Sequence, residues 1–177
     1  MLKKFSVLAS IFMFMFSFGC QREGGLKNYP VVIDYFQHLV EMIKAGGYDR
    51  YDPNISTDHF LVQDQGRVKL NIKLVQYNKP MRSDDVFRDL DSRGLRPATL
   101  PELLAFGATY PDKQCEVPVV ALGSAWRQFG FQNVPYLFGV AHWFKLNPYG
   151  NWRELGLLGI TDDEWPGGLY RFAAIRK

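Results

Sequence analysis

The sequence predicts one α+β domain, with helices in its N-terminal half and an antiparallel, loop-rich sheet in its second half. Three observations lead there. The run from Gly94 to Tyr110 joins a helix start, an apolar helical face and a glycine stop. From Arg67 to Tyr77, apolar Val68, Leu70, Ile72 and Leu74 alternate with Lys69, Asn71 and Lys73, the period of a strand with one buried face. After Tyr110 the chain breaks into short apolar and aromatic runs separated by turn residues, the texture of short strands.

In the central run, Thr99 and Glu102 have capping-box spacing, and Pro101 falls in the first turn, where a missing N–H costs little. Leu100, Leu103, Leu104 and Phe106 form the apolar side, and Gly107 is the expected stop. Capping accounts for Glu102, and Arg96 reads as a surface or ion-pair residue. Upstream, Val32, Tyr35, Phe36, Leu39, Val40 and Ile43 fall on one face at helical spacing. They predict a helix from Val31 to Ala45, ended by Gly46 and Gly47. Tyr48 to His59 is a loop of Asp, Asn and Pro. Asp49, Asp52, Asp58 and His59 read there as turn and cap residues, because the spacing lacks the glycine and terminal glutamate of a calcium loop. A second helix is expected from Ser83 as its cap, with Asp84 and Asp85 at its positive end, Val86, Phe87 and Leu90 packing, and Gly94 closing it. Strands are expected at 117–122, 136–140, 142–146, 155–160 and 169–175. A turn at 148–151 and an acidic loop at 161–168 lie between them.

The 177 residues suffice for one domain with a proper core, and 47% hydrophobic and 15% aromatic content excludes a disordered chain. The formal charge is +3; without Lys3 and Lys4 the balance is 19 basic against 18 acidic residues, or +1. A near-neutral body gives no electrostatic case for nucleic acid. With Cys20 and Cys115 alone there is no disulfide framework.

Residues 1–20 carry a basic start and an apolar run from Phe5 to Phe18, the layout of a secretory signal. Ser17-Phe18-Gly19-Cys20 resembles the lipobox of bacterial lipoproteins, whose cysteine is acylated after cleavage. Gly19 and Cys20 match that pattern, whereas Ser17 stands where Leu is usual and Phe18 is bulky. An uncleaved N-terminal anchor is the alternative. Either places the body outside the cytoplasm, attached to the membrane. Residues 21–30 read as a tether and 31–177 as a single domain.

The stretch Gly94-Leu-Arg-Pro-Ala-Thr-Leu-Pro-Glu-Leu-Leu resembles a helix of exported bacterial domains with a C-type-lectin-like fold, including the formylglycine-generating and sulfatase-modifying relatives. The ending Tyr170-Arg-Phe-Ala-Ala-Ile-Arg-Lys is similar to their last strand, and Gly123-Ser124-Ala125-Trp126 stands where they often have a Trp/Ser motif. The resemblance covers roughly half of the chain, and makes residues 83–177 its lectin-like part. The stretch from Gly94 to Lys177 also resembles a family of bacterial proteins with no known activity, sharing Arg-Pro-Ala-Thr and Glu-Leu-Leu-Ala. Formylglycine-generating enzymes use cysteines, of which the body has only Cys115. The calcium motifs of sugar-binding lectins (Glu-Pro-Asn, Gln-Pro-Asp, Trp-Asn-Asp) do not occur.

The resulting expectation is a non-enzymatic extracytoplasmic binding module with a carbohydrate or protein ligand and no cofactor or metal. Trp126, Trp152, Asp162, Asp163 and Trp165 are its candidate contacts, because aromatics on polar loops supply rigid recognition area. The alternatives are a hydrolase or thiol-dependent enzyme using Cys115 with His142 and Asp112 or Asp162, and a structural envelope lipoprotein.

Overall fold

A computed structural model describes residues 26–62, 64–129, 135–145, 152–159 and 164–177, with the backbone alone described at 114, 115, 128, 129 and 135–145. The leader with Cys20, the expected turn at 148–151, and Asp162 and Asp163 lie outside the described residues. No described helix is long and apolar enough to cross a membrane.

The chain is a single mixed α/β domain dominated by strands. The order is β1 (Asn28–Asp34), α1 (Leu39–Ala45), β2 (Arg50–Tyr51), β3 (Arg67–Gln76), β4 (Met81–Arg82), α2 (Ser83–Ser92), β5 (Leu95–Pro97), α3 (Leu100–Thr109), α4 (Lys113–Glu116), β6 (Val119–Phe129), β7 (Pro135–Lys145), β8 (Trp152–Gly159), β9 (Glu164–Trp165) and β10 (Arg171–Arg176). The main sheet runs β1-β3-β10-β6-β7-β8-β2, with β5 paired to β10, and β4 and β9 form a small second sheet. Most pairs are antiparallel as expected. The exceptions are β10 with β6 and β2 with β8, which run parallel.

Side-chain alternation along the central strands gives the sheet two covered faces. Ile72, Val119, Ala121, Ala173 and Ile175 enter one core with α1 and α3. Val75, Val120, Leu122, Phe172 and Ala174 enter a second core with Val86 and Leu90 of α2. A strand covered on both faces must be apolar at consecutive positions, which is why 119–122 and 172–175 read as unbroken apolar runs.

The expected helix over 31–45 is corrected in its first half. Tyr29, Val31, Ile33 and Tyr35 are buried while Val32, Phe36 and Val40 are exposed, so the burial period is two through β1 and only 39–45 is helical. The first described strand therefore starts at Asn28, inside the stretch expected as tether. Gly107 is not a stop either. It is buried within α3, which continues to Thr109. Gly94, by contrast, ends α2 in the left-handed conformation with φ 66°, as its position implies.

Candidate functional site

The three stretches that carry the lectin-like resemblance meet at one residue. Ala98 N–H donates to Ala173 O in β10 at 2.8 Å, and Gly123 N–H in β6 donates to Ala98 O at 2.8 Å. Gly123 is needed for this approach, because a Cβ there would stand 2.6 Å from Ala98 O. The register of β6 against β7 shifts between Ala121 and Ala125, a bulge that spends residues 122–124 on contact with the start of α3.

Below this junction lies a buried charge pair. Glu102 is 0% exposed, and Arg96 clamps it with Nη2 to Oε1 at 2.6 Å and Nη1 to Oε2 at 2.9 Å. Thr99 N–H donates to Oε2 at 2.6 Å and the Tyr35 hydroxyl to Oε1 at 3.2 Å. Glu102 is thus both cap and buried ion-pair partner, and Arg96 is the ion-pair residue allowed for in the sequence. The hydrogen bond to Glu102 raises the guanidinium's proton affinity above its ordinary value, more than partial burial lowers it. Burial first, then the neighbouring Glu102 charge, pushes the Tyr35 hydroxyl well above the usual tyrosine range. Thr99 and Glu102 occupy the capping-box positions, but Thr99 Oγ1 is buried without a hydrogen-bond partner. Ser124 Oγ serves the helix start instead, accepting from Leu100 N–H at 2.9 Å.

Over this junction opens a cleft of about 330 Å³, walled by His59, Leu61, Asp64, Thr99 and Ser124. His59 stacks on Trp126 with ring centroids 4.2 Å apart and planes 15° apart. Its Nδ1 lies 2.9 Å from Asn54 O, which fixes the ring. Leu61, at the rim, is strongly exposed. The cleft therefore offers the His59 ring, an exposed apolar edge, the carboxylate of Asp64, and the Ser124 hydroxyl. Ser124 accepts from the backbone, which leaves its own proton to donate.

The other predicted contacts are elsewhere. Trp126 and Trp152 belong to β6 and β8 rather than to loops. By strand rise alone, Trp152 lies about 23 Å along β8 from Gly159, which is linked through Phe138 to Trp126. Trp152 stacks under the Arg50 guanidinium at 4.2 Å and donates from Nε1 to Glu154 at 3.3 Å, beside an open groove lined by Asp49, Tyr51 and Asp52. Trp165, expected on the surface, is only 8% exposed. Its ring packs edge-on against Tyr170 and Phe172, and its Nε1 donates to Ser83 Oγ at 2.8 Å. Ser83 is accordingly not the cap of α2. It is a buried acceptor, and Arg82 holds the cap position. Acidic neighbours made Trp165 read as exposed; its pairing through β9 to β4 buries it.

Cys115 lies in α4 and His142 in β7, elements that pack together. The cleft lined by His59 and Ser124 was not legible as a unit, because its walls are separated by 65 positions and joined only by the bulge. Among the described residues no group of three His, Cys, Asp or Glu stands together as a metal site. Comparisons with protein families, curated proteins and solved structures found no match.

Proposed function

We propose that this chain is a non-enzymatic binding module, held at the outer side of the cytoplasmic membrane through a lipid on Cys20 and taking a carbohydrate ligand in the His59–Ser124 cleft. The observation that carries the reading is the make-up of that cleft. A sugar ring presents C–H faces to an aromatic ring and hydroxyls to carboxylate and hydroxyl groups, and the cleft holds the His59 ring, stacked on Trp126 behind it, together with Asp64 and Ser124. A volume near the low end of ligand pockets suits one or two sugar units. Binding is favoured over catalysis because the buried carboxylate beside the cleft, Glu102, is fully committed to the fold. The meeting of the three resemblance stretches at Ala98 supports a C-type-lectin-like reading of the domain, with Trp126 holding the His59 ring of the cleft in place.

The test is calorimetric titration of the purified full chain with soluble peptidoglycan and lipopolysaccharide oligosaccharides. Trp126→Ala and Asp64→Asn are expected to weaken binding at least tenfold, about 1.4 kcal/mol, while Trp152→Ala leaves it unchanged. Binding that survives Trp126→Ala at full strength, or the absence of saturable binding, would overturn the reading.

The packing of α4 on β7 favours one second reading, thiol chemistry by Cys115 with His142. On that reading Cys115→Ser abolishes a hydrolytic or transferase activity; on the binding reading it changes nothing in the titration.

A further inference from the structure

One face of the main sheet is covered along β1 and β3 by α1 and α3, but α2 covers the other face only over β5, β10 and β6. Among the described residues, no helix covers that second face over β1 and residues 67–73 of β3, whereas Val75 further along β3 enters the second core. Positions 67, 69, 71 and 73 of β3 alternate with Ile72 of the first core and share the parity of Val75 in the second, so Arg67, Lys69, Asn71 and Lys73 belong to the bare face. Arg176 joins them from β10, and a groove of about 400 Å³ runs between Asn28, Lys69, Lys73 and Arg176. Val32, opposite Lys69 in the register, adds an exposed apolar side chain.

The charge on this face is only partly compensated, by the Asp34 carboxylate opposite Arg67. Lys73 donates to Asn28 Oδ1 at 2.8 Å, a neutral partner. Among the described residues, Arg67, Lys69 and Arg176 are in no ion pair. Asp34, opposite Arg67, accepts from Phe36 N–H, and Asp91 near the chain end is taken by Lys177. In a body of near-neutral balance, four cations therefore share one face that no helix covers among the described residues.

The chain also enters the domain beside this groove, where Lys73 Nζ lies 3.5 Å from Leu26 O. Five residues separate Cys20 from Leu26, so the six steps between them reach at most about 22 Å when extended. An anchor at Cys20 would let the rim of the groove approach to within a Debye length of a bilayer surface, where basic residues are attracted to anionic headgroups.

We propose that the bare β1–β3 face, through Lys69, Lys73, Arg67 and Arg176, lies against anionic lipid headgroups of the membrane that holds the chain. The proposal rests on the tethered reading above and adds a second, electrostatic contact that fixes the domain's orientation, turning this face to the bilayer.

The experiment is amine labelling of the full chain, reconstituted in vesicles of phosphatidylcholine alone or of equal parts phosphatidylcholine and phosphatidylglycerol, with peptide mass mapping. Lys44 on α1, which packs on the opposite face, is the internal control. Labelling of Lys69 is expected to fall by about fivefold or more in the anionic vesicles, and to recover in high salt, with Lys44 unchanged. A chain bound to both vesicle types with equal Lys69 labelling overturns the inference while leaving the anchor intact. A chain that misses neutral vesicles but shows the Lys69 protection on anionic ones supports the inference and sinks the anchor. Protection by inorganic phosphate without vesicles would identify a phosphate site and overturn the membrane contact.

Discussion

Arg96→Met tests the physical centre of the domain. The substitution keeps an apolar stem but removes both charge-assisted bonds to Glu102, at 2.6 and 2.9 Å. The carboxylate is 0% exposed and would retain only Thr99 N–H and the Tyr35 hydroxyl. Removing one partner of a buried pair costs roughly 3–5 kcal/mol. Arg96 is 37% exposed, so water can enter where the guanidinium stood, and the low end, about 3 kcal/mol, applies. For a chain of this size that corresponds to a fall of about 6–12 °C in Tm. Glu102→Gln should cost less, about 1–2 kcal/mol, because the half-exposed guanidinium rehydrates while the amide oxygen still accepts from the backbone. The double variant should cost about as much as Glu102→Gln alone, a coupling of about 3 kcal/mol. Urea denaturation of the purified full chain followed by circular dichroism measures all three. Additive single effects, or an Arg96→Met cost under about 1 kcal/mol, would refute the reasoning.

Other outcomes follow from the same geometry. Gly123→Ala should destabilise by about 1–3 kcal/mol, because its Cβ meets backbone oxygen that no rotamer can move aside, and a shift in denaturation midpoint checks it. Ser83→Ala should cost about 1–3 kcal/mol by orphaning the buried Trp165 N–H, whereas adding Trp165→Phe to it should recover part of the loss in the same assay. Hydrogen bonds from Lys113 and then Arg171 pull the exposed Glu116 carboxyl down to about 2 from its ordinary value near 4.5. Its folded-state pKa is depressed, so its contribution is present above about pH 4.5 and lost as pH falls through about 2. At the surface it should stay under about 1 kcal/mol, read as a Glu116→Gln difference that vanishes by the low end of that window.

Most of the fold was legible where one local signal dominated. Thr99, Pro101 and Glu102 mark the start of α3, Gly94 marks the end of α2, and the lysine alternation marks β3. The failure over 31–38 has a definite cause. Val31, Val32, Ile33, Tyr35 and Phe36 satisfy both periods, and pairing with β3 selects period two. Trp165 misled because acidic neighbours carry no information about the long-range partner, Ser83, that buries it. The cleft was hidden for the same reason. His59 and Trp126 stack across 67 positions, and only the bulge in β6 brings Ser124 to the helix start.

The most direct test of a tethered, extracytoplasmic module is fractionation of a bacterial host expressing the wild-type chain or Cys20→Ala, with intact mass of each product. The account predicts a membrane-bound wild-type chain that begins at a lipid-modified Cys20, and loss of that species in the variant. A soluble chain retaining residues 1–19 in the cytoplasm would contradict it.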